Sequence, residues 1–212
     1  MSVFITFEGG EGAGKTTVLQ SVKEQLINQG YEVIATREPG GSVIAEKVRD
    51  VILNPDHTEM DERTEALLYA AARRQHLVET VTPKLDEGCI VLCDRFIDSS
   101  LVYQGVARGI GVEEVRQMNL FATGGLMPDL TCYVDIEPEV GLKRIEEHKG
   151  REYNRLDQEK IDFHLMVRDA YLTLAKQEPI RIQTIDGAQP LDEVVDRTMK
   201  VINHYLNKTN SR

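Results

Sequence analysis

The apolar run Val3-Phe4-Ile5-Thr6-Phe7 leads through Glu8 into Gly9-Gly10-Glu11-Gly12-Ala13-Gly14-Lys15-Thr16, an unbroken G-x-x-x-x-G-K-[ST] phosphate-binding loop. A strand in front and a helix behind belong to this signature, so it dictates a strand-loop-helix unit around residues 2–29. The four glycines let the backbone fold tightly and aim its N–H groups inward. A helix starting near Lys15 adds the positive end of its dipole. Lys15 is in register to reach the β- and γ-phosphates, Thr16 offers a hydroxyl for Mg²⁺, and Thr17 extends the same turn. A glycine-rich turn that binds nothing has no need of Lys-Thr in this register. The pattern points to a nucleoside triphosphate.

Length and charge limit what can surround the loop. A chain of 212 residues fits one α/β domain with interior enough for a sheet of about five or six strands. Its 35 acidic and 25 basic side chains leave a formal charge of -10, the wrong sign for a protein that grips nucleic acid by its phosphates. Anion binding therefore requires a local arginine cluster. The N-terminus has no basic-led apolar leader, and no apolar run approaches the roughly 20 residues that span a bilayer. These features lead to the expectation of a cytoplasmic protein with no nucleic-acid or membrane partner. Cys89, Cys93 and Cys132 lie in apolar, strand-like runs, which fits reduced packing residues better than a disulfide or a metal site.

Strand-like and helix-like segments alternate along the whole chain, the pattern of a wound parallel sheet. Strands are expected near 2–8, 31–36, 89–94, 129–135 and 181–185. Helices are expected near 15–29, 42–53, 61–87, 111–123, 138–148, 158–177 and 190–207. The resulting expectation is one domain over 1–212 with a five-stranded parallel sheet flanked by helices. In such a sheet the ligand crevice borders the carboxyl ends of the strands.

The residues just past each strand carry much of the remaining chemistry. Thr36-Arg37-Glu38-Pro39-Gly40-Gly41 follows the second strand; it reads equally well as a surface turn or as a rigid loop that brings Arg37 to the crevice. Cys93-Asp94-Arg95-Phe96 follows the third, with Asp98-Ser99-Ser100 and Tyr103-Gln104-Gly105 behind it. Asp94 can order Mg²⁺ and Arg95 can grip a phosphate, although a structural ion pair is an alternative. On the long helix, Tyr69 and Arg73 share a face at i, i+4 spacing and could edge a planar base, or Tyr69 could be core. Arg144, Lys149, Arg151 and Arg155 lie in or around a polar break between two helical patterns. Such a basic loop is either solvated surface or a mobile lid that closes over a triphosphate, here expected around 144–157.

Taken together, these motifs resemble the thymidylate kinases. The loop from Phe7 to Thr17, the Thr36–Gly41 loop, Asp94-Arg95 and Tyr103-Gln104-Gly105 follow that family's order, as do Pro128-Asp129-Leu130-Thr131 and Asn154-Arg155-Leu156-Asp157. The resemblance implies a P-loop nucleoside-monophosphate-kinase fold and transfer of phosphate from MgATP to dTMP, in the supply of dTTP. It assigns the dTMP phosphate to Arg37 and Arg95, with Glu38 and Arg49 beside them. It places Tyr69, usually Phe in the family, on thymine, and lets Arg73, Ser100 and Gln104, next to Ser99, read the polar edge. Glu11 would approach the sugar 3′-hydroxyl, and Tyr103 would underlie the sugar where a ribose 2′-hydroxyl has to fit. Gly10, Glu11, Gly12 and Ala13 include no basic residue, so the catalytic charge is expected from the lid arginines Arg151 and Arg155, with Arg144 nearby. The family also implies a homodimer.

No general base is required, because a nucleotide 5′-phosphate with a second pKa of about 6 is already an anionic nucleophile at neutral pH. Two competing classes are a P-loop kinase for another acceptor, and a nucleotide-dependent switch. The first would not require so many acceptor-side arginines. The second, as a GTPase, should carry an Asn-Lys-x-Asp stretch, which this sequence lacks.

Overall fold

A computed structural model describes residues 2–147 and 155–210. Five parallel strands form one sheet in the order β2-β3-β1-β4-β5: β1 is Val3–Glu8, β2 Val33–Arg37, β3 Ile90–Asp94, β4 Leu130–Asp135 and β5 Ile182–Asp186. Each lies within two residues of its expected place. Because both faces of a parallel sheet are covered by its crossover helices, β1 and β4 are buried along their lengths.

Alternation within β1 separates the two halves of the core. Val3, Ile5 and Phe7 point to the side of α1 (Lys15–Asn28) and α9 (Leu191–Asn210), meeting Leu19, Val22, Leu26, Met199 and Ile202. Phe4 points the other way, into a cluster with Phe96, Leu101, Tyr103 and Tyr171, the last on α8 (Ile161–Gln177). The apolar spacing Val18, Leu19, Val22, Leu26 is why α1 presents one buried stripe.

Two helical segments depart from the expectations. The helix expected over 61–87 is α3 (Glu62–His76), a π-helical stretch Leu77–Val81 and α4 (Thr82–Asp86). Pro83 has no N–H to give the carbonyl four residues back, and the wider turn accommodates it. The second departure is a helix unforeseen in the sequence, α5 (Ile97–Ser100), which continues as a π-helical stretch over Leu101–Ala107. Ile97, Asp98 and every residue from Ser100 to Gly105 are buried, so the segment has no polar face and shows no amphipathic period. The remaining helices are α2 (Val43–Leu53), α6 (Val112–Thr123) and α7 (Pro138–Glu147).

Strand register gathers the functional motifs. Phe7 and Arg37 both stand opposite Asp94, so the phosphate loop, the Arg37 loop and the Asp94-Arg95 pair leave the sheet at one level. All three cysteines are free and buried.

Candidate active site

The phosphate loop turns into α1 through Gly14, whose φ of 85° is left-handed; a side chain there would be strained. Lys15 is buried beneath the loop, and its Nζ donates to the Gly10 carbonyl at 2.9 Å. Burial, helped by the nearby Arg95 charge and opposed by Glu11, Asp94 and Glu8, lowers its pKa to about 8. Thr16 donates its hydroxyl hydrogen to Asp94 Oδ2 at 2.5 Å. This brings together a hydroxyl and a carboxylate, an oxygen set suited to Mg²⁺, which keeps much of its water and takes most other ligands from phosphates. Among the described residues no group of three or more His, Cys, Asp or Glu forms a cage for a metal.

The loop is also braced from outside. Gly12, at φ 70°, lies so close to Gly141 of α7 that a Cβ on Gly12 would stand 2.0 Å from the Gly141 carbonyl oxygen, and one on Gly141 would stand 2.2 Å from that of Glu11. Helix α7 therefore packs backbone to backbone on the loop.

Across the crevice lies the arginine cluster that the acidic composition demands. Arg37 pairs with Glu46 at 3.1 Å, and Arg49 donates to the Pro39 carbonyl at 3.1 Å. Arg95, the sole positive-φ residue other than glycine among the described residues, holds its backbone N–H on the Phe7 carbonyl at 2.9 Å. Its guanidinium meets Glu11 at 2.7 Å and Ser99 at 3.1 Å, and lies 5.1 Å from the Tyr103 ring centroid. Tyr103 in turn donates to Glu11 at 3.3 Å. A left-handed backbone at a bulky residue is uncommon and is retained where surroundings enforce it; here it turns Arg95 back over the loop.

Arg73 is buried and almost fully committed. Its Nε donates to Glu38 at 2.7 Å, one terminal nitrogen to Ser100 at 2.9 Å and to Asn119, and the other to the Phe96 carbonyl at 3.0 Å. Among the described residues, these bonds take four of its five N–H groups and leave one for a ligand. Glu38 also meets His76 Nδ1 at 2.9 Å, so the Arg37 loop is locked to α3. Tyr69, one turn before Arg73, is half-buried, and burial raises its pKa, as it does that of Tyr103. Both remain neutral phenols.

A single cavity of about 750 Å³ joins these groups. Its lining includes the loop residues Glu11, Gly12, Ala13, Gly14, Lys15, Thr16 and Thr17, the pair Asp94 and Arg95, and Arg37, Glu38, Arg49, Tyr69, Arg73, Ser99, Ser100, Tyr103 and Gln104. Gly9 and Gly10 support the loop without lining the cavity, Gly10 through its carbonyl on Lys15. The expected lid arginines separate. Arg144 lines the cavity and donates to the Gly187 carbonyl at 3.3 Å. Arg155 does not line it: this side chain is buried against Glu65 and donates to the Ile52 carbonyl at 3.1 Å. Arg151, with Lys149, lies outside the described residues.

Four residues given no role in the sequence reading shape this site. Glu65 is buried at i−4 from Tyr69 and i−8 from Arg73, a helical spacing that was open to inspection. Asn119 bonds Arg73 from α6, at no spacing that could foretell it. Gly141 had no sequence signal. Glu8 closes β1 and accepts from the Phe96 N–H at 2.8 Å, Ser99 Oγ at 2.6 Å and Tyr171 Oη at 2.7 Å. Burial, with Asp98 adding, raises its pKa to about 7.

The parallel sheet, the phosphate loop and the facing arginines place the chain among P-loop kinases of the nucleoside-monophosphate type. The family model described as Thymidylate kinase matches residues 7–198. Curated thymidylate kinases of Shouchella clausii and Bacillus licheniformis are 58% and 57% identical to it, over 98% and 96% of this chain and 97% and 96% of theirs. The crystal structure of thymidylate kinase from Ehrlichia chaffeensis superposes with a TM-score of 0.78 at 32% identity, covering 95% of this chain and 98% of that one. The chain belongs to the thymidylate kinase family.

Proposed function

We propose that the chain transfers the γ-phosphoryl group of MgATP to the 5′-phosphate of dTMP, giving dTDP and ADP and feeding dTTP synthesis in the cytoplasm. The observation that carries this reading is the single cavity lined both by a phosphate loop and by a set of arginine, tyrosine and glutamine side chains. Two nucleotides entering from opposite ends meet phosphate to phosphate beside Asp94 and Arg95.

On this reading the protein aligns and neutralises; it forms no covalent intermediate. The amides of residues 10–17 and Lys15 hold the triphosphate. Arg37, Arg49 and Arg95 exchange their present partners, Glu46, the Pro39 carbonyl and Glu11, for the acceptor phosphate, and Glu11 is released toward the sugar 3′-hydroxyl. Thr16 and Asp94 would hold Mg²⁺, which when bound neutralises charge on the donor phosphates. Tyr69 stacks on the base, Arg73 gives its remaining N–H to the base edge, and Tyr103 fills the space a ribose 2′-hydroxyl would need. Arg144 and Arg151 supply charge to the transferring group from a lid spanning 144–157. Arg155 would reach it only by leaving Glu65.

The whole chain acts as one domain and, we propose, as a homodimer: α2, α3 and α6 expose Val43, Leu67 and Phe121, which a second copy would cover. Light scattering coupled to size exclusion tests this. Activity is tested by coupled ADP release with dTMP, dUMP, dCMP and ribosyl-TMP at one MgATP concentration. The expected order of kcat/KM is dTMP, dUMP, then dCMP, with ribosyl-TMP below dTMP. Equal turnover of dCMP and dTMP would remove the thymidylate assignment and leave a broader kinase.

A further inference from the structure

Gln104 lines the cavity, yet its amide nitrogen faces away from it, donating to Glu65 Oε1 at 2.7 Å. A carboxylate accepts and cannot donate, so the nitrogen of the Gln104 amide must be the atom that meets it. Its carbonyl oxygen is then the atom offered to the cavity. Glu65 is itself buried and anchored from the other side, with Oε2 taken by Arg155 and lying 3.4 Å from Arg108, whose Nε also donates to Oε1 at 3.4 Å. Arg108 is anchored in turn by Glu159 at 2.7 Å.

We propose that Glu65 is a positioning residue for base selection: by accepting from the Gln104 amide nitrogen, it fixes the Gln104 carbonyl toward the acceptor base and so favours thymine over cytosine. The inference rests on the dTMP reading above. Thymine presents an N3–H donor beside its O4 acceptor, whereas cytosine presents an N3 acceptor beside a donating amino group. A fixed carbonyl at Gln104 accepts from thymine N3–H and repels the cytosine N3 lone pair. Arg73, with one N–H left, serves O4 and opposes the cytosine amino group. Both readers therefore reject cytosine, and one of them takes its orientation from Glu65.

Glu65→Gln turns this logic into a test. Arg155 can only donate, and its contact at Oε2 is shorter than the 3.4 Å bond of Arg108 to Oε1, so the new side chain's oxygen stays at Oε2. Its –NH₂ then lies where Oε1 was and faces the Gln104 nitrogen. Two donors cannot pair, so the Gln104 amide turns over and presents –NH₂ to the base. The measurement is kcat/KM for dTMP divided by that for dCMP, a ratio that cancels any change in phosphoryl transfer common to both acceptors. Wild type should favour dTMP, Glu65→Gln should lower the ratio by about 10-fold or more, and Glu65→Asp, still an acceptor only, should keep it closer to wild type. With Gln104→Ala as background, Glu65→Gln should change the ratio no further. If Glu65→Gln is too unstable to assay, Glu65→Gln with Arg108→Met removes one of the charges left facing it while Arg155 still holds the new oxygen at Oε2, and its ratio is read in the same way. A folded Glu65→Gln enzyme that slows dTMP and dCMP equally would overturn the proposal and leave the dTMP reading intact. A wild-type enzyme indifferent to the two bases would overturn both.

Discussion

Gly141→Ala sets helix propensity against tertiary contact, and the two predict opposite results. Alanine is favoured over glycine inside a helix by about 1 kcal/mol, so local structure alone predicts a more stable α7 and unchanged catalysis. The new Cβ, however, would stand 2.2 Å from the Glu11 carbonyl oxygen, where an ordinary carbon–oxygen contact is about 3.3 Å. The shortfall is about 1 Å. Both sides are backbone, so no rotamer change relieves it; either the phosphate loop or α7, which carries Arg144, must move. Overpacking costs about 1–3 kcal/mol, which the propensity gain partly offsets, so the melting temperature should change by only a few degrees. Catalysis should change more, because a displacement of about 1 Å near reacting groups can cost roughly 10²-fold. Steady-state kinetics should show kcat/KM for MgATP down by about 10- to 100-fold, with calorimetric dTMP affinity within a few-fold of wild type. A variant with a raised melting temperature and unaltered MgATP kinetics would refute the claim that α7 braces the loop.

Lys15→Ala should leave circular dichroism unchanged and lower kcat by roughly 10²-fold or more, as loss of a transition-state contact does. In the wild type, Lys15 has its pKa lowered from 10.5 to about 8, so its charge is present below that value and lost as pH rises through it. The free-enzyme parameter kcat/KM for MgATP should accordingly fall above about pH 8, whereas kcat, measured with the phosphates in place to hold the proton, should persist to higher pH; a flat kcat/KM profile to pH 9.5 contradicts this. Arg37→Ala and Arg95→Ala should each weaken dTMP far more than ATP in separate calorimetric titrations, and equal losses would mean that the two subsites have been misdrawn. Tyr103→Phe should preserve the preference for deoxyribose because the ring supplies the steric barrier, while Tyr103→Ala should relax it by removing a penalty of roughly 1–3 kcal/mol; a preference unmoved by Tyr103→Ala excludes the ring as its source.

The five strands, the phosphate loop and the helices with one apolar stripe were legible because local patterns report them: a strand run ending in Gly9–Thr16, and Val18, Leu19, Val22, Leu26 on one side of α1. The helix over 97–107 was not, since burial of nearly every residue from 97 to 105 erases the periodicity from which a helix is read. Likewise the helix expected over 61–87 took no account of Pro83, where the chain widens its turn rather than stopping.

The sequence by itself determined which chemical groups exist and which of them must be near one another through the chain: Lys15 with Thr16, Asp94 with Arg95, Tyr69 with Arg73. Their partners across the fold were decided by tertiary structure. Arg155 is spent on Glu65 and the Ile52 carbonyl, Arg73 on Glu38, Ser100, Asn119 and Phe96, and Gln104 turns its amide nitrogen to Glu65. The physical reason is directionality and distance. A guanidinium or an amide offers a fixed set of donors wherever it occurs in a sequence, but which of them remain for a ligand depends on acceptors 23 to 103 positions away that only the packed sheet and helices bring within 3.1 Å.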